Sequence, residues 1–160
     1  FHQFLLLWKT KLNNSEVKIF TDGACKGNPG PGGWGVVMIQ DGGSTNELFG
    51  GEVFTTNNRM ELLAVIKGLE AIQGMENINI YTDSKYVKNG ITLWIKSWVK
   101  NGWKTASKKD VANQDLWVSL THLVENKSIK WNWVKGHSGN QGNERADHLA
   151  NRGVASCSQK

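Results

Sequence analysis

Two tetrapeptides of this 160-residue chain match almost residue for residue: Phe20-Thr21-Asp22-Gly23 and Tyr81-Thr82-Asp83-Ser84. Each closes a stretch with strand character. If the two strands are parallel neighbours in the same register, Asp22 and Asp83 stand side by side at roughly the 4.8 Å spacing of adjacent strands. Two carboxylates that close repel, so one keeps a proton or both share a cation. Paired divalent ions about 3.5–4 Å apart suit such a cluster, and they suit phosphoryl transfer. Taken singly, each aspartate is also an ordinary strand end before Gly or Ser. The matched pair points to metal.

Three other residues belong to the same question. Glu61 lies near the start of a helical stretch, where Asn58-x-x-Glu61 also reads as a capping box whose carboxylate satisfies a free amide. Asp147 follows Glu144 by three residues, so both can share one helix face. His137 sits in the loop segment Gly136-His137-Ser138-Gly139, either as a solvated side chain or as a mobile acid–base group beside an acidic helix start.

The elements that must position these groups follow from periodicity. Residues 17–22 alternate Val17, Ile19 and Thr21 against Lys18, Phe20 and Asp22, which predicts a strand. Residues 23–33 are crowded with Gly and Pro and read as a turn or loop. Residues 34–40 and 44–53, joined by Asp41-Gly42-Gly43, predict a hairpin. From Asn58 the period changes: Leu62, Val65, Ile66, Leu69 and Ile72 recur at helical spacing and Gly74 marks the stop. Residues 77–83 form another strand, Ser84 caps a helix through Val87 and Ile91, and a Trp- and Lys-rich segment covers 94–109. Asn113 or Asp115 opens a helix with Leu116, Leu120, Leu123 and Val124, residues 128–134 return as a strand, and a last helix begins at Asn143. The order predicts one mixed sheet with helices packed on it, in a single domain.

Composition narrows the partner. The chain is 39% hydrophobic and 21% charged, the balance of a globular domain, and its net charge of +5 favours a polyanion, nucleic acid before membrane. Cys25 and Cys157 lack the spacing of a zinc knuckle or redox pair and are expected to stay unpaired in a reducing compartment. The apolar run 4–8 is too short to span a bilayer, so no membrane partner is expected.

Several ordered motifs together resemble type 1 ribonuclease H of the bacterial kind. They are Phe20-Thr21-Asp22-Gly23-Ala24-Cys25-Lys26-Gly27-Asn28-Pro29-Gly30, Thr55-Thr56-Asn57-Asn58-Arg59-Met60-Glu61, Tyr81-Thr82-Asp83-Ser84, Trp133-Val134-Lys135-Gly136-His137 and Asn143-Glu144-Arg145-Ala146-Asp147. The resemblance implies an α/β RNase H-like fold, with a five-stranded mixed sheet of three antiparallel and two parallel strands flanked by helices. It implies a catalytic domain over 17–155, between an extension of unknown role over 1–16 and a tail over 156–160. It also implies cleavage of the RNA strand of RNA–DNA hybrids by two Mg²⁺ ions (Mn²⁺ substituting), leaving 5′-phosphate and 3′-hydroxyl ends. Asp22, Glu61, Asp83 and Asp147 take the four metal-binding positions, and His137 takes that of a flexible-loop histidine assisting proton transfer or product release. A cytoplasmic monomer needing no protein partner is expected.

On the RNA side, Cys25 (through its backbone), Asn28, Asn57 and Asn58 match family positions that contact that strand. The DNA side resembles the family's basic protrusion: Trp94 and Trp98 share a helix face, Lys96 and Lys100 fall nearly opposite, and Trp103, Lys104, Lys108 and Lys109 extend it. The same pattern also describes an amphipathic helix with core tryptophans and a solvated lysine face. Thr56 matches a phosphate-pocket threonine. Two positions depart: Ser97 stands where asparagine is frequent, predicting a shorter reach to DNA phosphate, and Lys85 where glutamine is common, adding charge near the RNA.

Overall fold

The computed structural model describes residues 16–40, 43–72, 77–125, 127–135 and 140–158. Five strands form one sheet: β1 (Glu16–Cys25), β2 (Gly30–Gln40), β3 (Thr45–Thr55), β4 (Asn77–Thr82) and β5 (Ser128–Trp133). Their order is β3-β2-β1-β4-β5. β1–β2 and β2–β3 are antiparallel, while β1–β4 and β4–β5 are parallel.

The helices are α1 (Asn57–Ala71), α2 (Lys85–Asn89), α3 (Ile95–Lys100), α4 (Gln114–Val124) and α5 (Gln141–Ser158), with a π-helical turn over Gly90–Trp94 between α2 and α3. The single helix expected after Ser84 is therefore a broken run. The left-handed backbone of Asn113 (φ 59°) opens α4, a conformation asparagine tolerates well.

Alternation in β1 sends side chains to both faces. Val17 and Ile19 join Leu62, Val65, Leu69, Ile80, Val87, Trp117 and Leu120 in the larger core, on the side of α1 and α4. Phe20 joins Val37, Ala146 and Leu149 beneath α5. A central strand buried on both faces cannot slip by one residue without exposing one core and burying charge, so its register is held.

The expected loop over 23–33 is largely strand. β1 continues to Cys25 and β2 starts at Gly30 rather than Trp34, leaving residues 26–29 as the connection. Glycines there pave a helix seat. A Cβ on Gly33 would lie 2.1 Å from the Ala150 carbonyl oxygen and one on Gly35 2.2 Å from that of Ala146, so α5 rests almost backbone to backbone on β2. Glycine marked a close approach here and not a turn. The same helix starts at Gln141, two residues before the expected Asn143.

Candidate active site

The β1–β4 ladder pairs Phe20 with Tyr81, so two residues further on Asp22 faces Asp83, as the matched tetrapeptides predicted. Both lie where parallel strands run out at their carboxyl ends, a place where the backbone of α/β sheets leaves a crevice. Glu61 reaches this point from α1. A Cβ on Gly23 would stand 2.4 Å from the Glu61 amide nitrogen, so the missing side chain lets the start of α1 press against the end of β1. Asp22, Glu61 and Asp83 each offer a carboxylate oxygen, and those oxygens lie within 4.8 Å of one another.

The capping-box alternative for Glu61 fails. Thr56 is the N-cap of α1, and its hydroxyl accepts from the Arg59 amide at 3.3 Å. That sets Glu61 in the second turn, beyond reach of the cap. It is buried (6% exposed), and its Oε2 has no hydrogen-bond partner among the described residues. Burial, the charges of Asp22 and Asp83 and a hydrogen bond to Asp22 hold its carboxyl well above the usual range, against the Gly23 amide.

Asp147 comes from α5 and meets Asp22 from the opposite face of the sheet. Burial first, then a hydrogen bond to Asp147 and the charges of Asp83 and Asp147, push the Asp22 carboxyl up to about 8; the Gly23 amide, 3.0 Å from Asp22 Oδ1, opposes them. Asn151, one turn along α5, donates to the Asp147 carbonyl at 2.9 Å and to its Oδ1 at 3.4 Å. Sequence reasoning missed Asn151, although i, i+4 spacing on one helix was the available signal. Glu144 is exposed and stands outside the acidic trio. Acids gathered this closely, two of them held above their usual range by burial and by one another, are a place for cations.

Other expected site residues are distributed as follows. Asn28 and Asn57 meet, the Asn28 Oδ1 accepting from the Asn57 amide at 2.9 Å, which ties the β1–β2 connection to the start of α1. Asn58 is exposed beside them. The Cys25 thiol donates to the Thr55 and Gly30 carbonyls at 3.4 and 3.6 Å, and both cysteines are free, as expected. Lys85 is exposed one residue past Ser84, whose hydroxyl caps α2. His137 lies outside the described residues.

In the Trp/Lys segment the rings go inward. Trp98 packs on Trp94, Trp103 and Trp117 with centroids 5.6, 6.2 and 5.4 Å apart, and Trp98 and Trp103 lie against the main core. The amphipathic-helix account therefore describes these two rings. Ser97, Lys96 and Lys100 are exposed together, while Lys104 bonds the Asp110 carboxylate. From Ser84 to Lys109 the sequence carries seven lysines and no acid. The arm's base is pinned by Tyr86, whose hydroxyl accepts from Asn113 (3.0 Å) and Trp117 (2.9 Å). Arg59, two residues before Glu61, in turn forks onto Asp115 at 3.0 and 2.8 Å.

A carboxylate cluster at the ends of parallel strands, in a chain that also carries a lysine-rich arm, has the makings of a nucleic-acid hydrolase. The RNase H family model matches residues 14–155, and the chain belongs to the ribonuclease H family of nucleases. It is 61% identical over 141 residues to ribonuclease H of Cupriavidus metallidurans, covering 88% of this chain and 97% of that protein. It is 59% identical to ribonuclease HI of Neisseria meningitidis serogroup B, covering 91% and 99%. Among solved structures, LC9-RNase H1, a type 1 RNase H with the type 2 active-site motif, superposes with a TM-score of 0.77 at 35% identity over 88% of this chain and 72% of that one. LC11-RNase H1 in complex with RNA/DNA hybrid gives 0.67 at 25% identity over 88% and 97%. Among the described residues no helix is long and apolar enough to cross a membrane.

Proposed function

We propose that this chain hydrolyses the RNA strand of RNA–DNA hybrids with two Mg²⁺ ions, leaving 5′-phosphate and 3′-hydroxyl ends. The observation that carries the reading is the acidic trio together with the buried Glu61 Oε2, which has no hydrogen-bond partner among the described residues. A buried carboxylate oxygen without a donor costs free energy that a hard cation, which takes oxygen ligands, removes. The donor set is all oxygen, which fits Mg²⁺ and admits Mn²⁺.

Asp22, Glu61, Asp83 and Asp147 hold the ions. When bound, such ions acidify the attacking water and offset charge on the departing 3′-oxygen. Everything else is done by the chain. Gly23 and the glycine seat under α5 fix where the four carboxylates stand. Asn28, Asn57, Asn58 and the Cys25 backbone contact the RNA strand, where 2′-hydroxyls offer donors and acceptors. Lys85 adds positive charge there. Thr56, Ser97, Lys96, Lys100 and the lysines beyond them meet the DNA backbone, with Trp94, Trp98 and Trp103 stiffening that arm. His137 assists proton transfer or product release. Residues 17–155 act as the catalytic domain, in a cytoplasmic monomer. The solved complex of LC11-RNase H1 with RNA/DNA hybrid supports the choice of substrate.

Incubation with end-labelled hybrid, duplex DNA and duplex RNA, with Mg²⁺ or with chelator, tests this. Cleavage restricted to the RNA of the hybrid and abolished by chelator is expected. Binding without cleavage, or cleavage of duplex DNA, overturns the proposal.

A further inference from the structure

Past Asp83, on the side away from Asp22, the parallel strands β4 and β5 separate. Their ladder ends at Thr82–Trp133, with the Val134 amide donating to the Thr82 carbonyl at 3.0 Å as the last tie. Beyond that tie a cavity of about 330 Å³ opens, lined by Asp83 and Ser84, by Trp133 and Val134, and by Lys85, Lys88 and Lys135. Three lysines from two separate segments thus converge on one cavity whose lining, among the described residues, holds a single acid, Asp83. None of the three makes an ion pair among the described residues, whereas Lys67 and Lys104 both do.

Like charges gathered round one concavity repel each other, and an anion entering it turns that repulsion into attraction. The cavity shares Asp83 with the carboxylate crevice, so its anion lies next to whatever the crevice holds. Its apolar wall of Trp133 and Val134 is rimmed by the three lysines, which suits an anion better than an uncharged ligand. Resting on the proposed substrate, we infer that Lys88 and Lys135, together with Lys85, form a pocket for a phosphate of the RNA strand neighbouring the one that is cut. Asp22 stands just past the end of the β1–β4 ladder, and Asp83 and Lys135 follow the ends of β4 and β5, so a single strand crossing that end of the sheet meets the carboxylates and then the lysines. The pocket sets how much RNA must extend past the cut for tight binding, and neither Lys88 nor Lys135 touches the reacting atoms.

The test replaces one phosphate at a time in the RNA strand of a hybrid by a neutral methylphosphonate and compares the wild-type enzyme with Lys88→Gln/Lys135→Gln. On unmodified hybrid the double variant should raise KM about tenfold with kcat held, the weight of two partly screened charge-assisted contacts. One methylphosphonate position beside the cut should impair the wild type by a similar factor and leave the double variant indifferent. Lys88→Arg/Lys135→Arg should restore both KM and that sensitivity. Equal sensitivity of wild type and Gln variant at every RNA position overturns the inference, as does a sensitivity that moves to the DNA strand. Wild-type cleavage of the unmodified hybrid is read in the same experiment, so failure of the substrate assignment shows itself separately.

Discussion

Without metal, the buried carboxylates of Asp22 and Glu61 work against the fold, and Asp22→Asn should expose by how much for the first of them. The Asp22 carboxyl is pushed from 3.8 up to about 8 in the folded protein, by burial first and then by Asp147 and Asp83. Between those values the folded chain binds a proton that the unfolded chain has released. Stability therefore falls as pH rises from about 4 to about 8. At pH 7 the ceiling is about 4 kcal/mol, at 1.36 kcal/mol for each unit between pH and the unfolded value. Solvent reaching the open side of the crevice screens this to about 1–3 kcal/mol. An asparagine of the same shape has no charge to suppress. The variant should be more stable than wild type by that amount at pH 7.5 in chelator, with the gap closing toward pH 4. Urea unfolding followed by tryptophan fluorescence measures it, since Trp117 is fully buried. In Mg²⁺ the order should shrink or invert, because ligand binding stabilises the protein that binds it. The same variant should not cleave. A variant less stable than wild type in chelator at pH 7.5, or a gap indifferent to pH, would refute the reasoning.

Gly23→Ala should press its new methyl against the α1 backbone, costing about 1–3 kcal/mol in denaturant unfolding and about a hundredfold in kcat as Glu61 moves; near-wild-type turnover would detach the Gly23 contact from the site. Lys96→Gln/Lys100→Gln should flatten the log–log dependence of hybrid affinity on salt by about one to two units. Lys104→Gln should do less, because Asp110 already neutralises it; filter binding across a salt series measures both. His137→Ala should slow single-turnover cleavage by about a hundredfold or less without silencing it, and complete loss would give His137 a larger part than proton assistance.

How far the site could be read from sequence depended on what each residue leans on. Asp22 and Asp83 were legible because parallel register is carried by the strands themselves, and two matched ends translate directly into a pair. Glu61 was not, since Asn57, Asn58 and Thr56 are all good caps and only the backbone shows that Thr56 takes the position. Asp147 depends on where α5 docks, which is decided by two glycines on β2, Gly33 from the expected turn and Gly35 from the expected strand, whose part as a helix seat shows only in the fold. The tryptophans of the arm could point either way by pattern; Trp117 on another helix drew Trp98 inward. Lys88 and Lys135 escaped notice because 47 residues separate them and only the parting of β4 and β5 brings them to one cavity.

The glycine seat under α5 has a consequence for inheritance. In a saturation mutagenesis selected on activity, Gly33 and Gly35 should tolerate no substitution, as though they touched substrate, although they have no side chain to touch it with. Similar contacts extend the seam to Gly51 and Gly153, where an added Cβ would meet the Gly153 and Gly50 carbonyl oxygens at 2.3 and 2.1 Å. The map of intolerance would then trace the underside of a helix as sharply as it traces the acids. Part of this enzyme's active site is specified by positions at which lineages are free to add nothing.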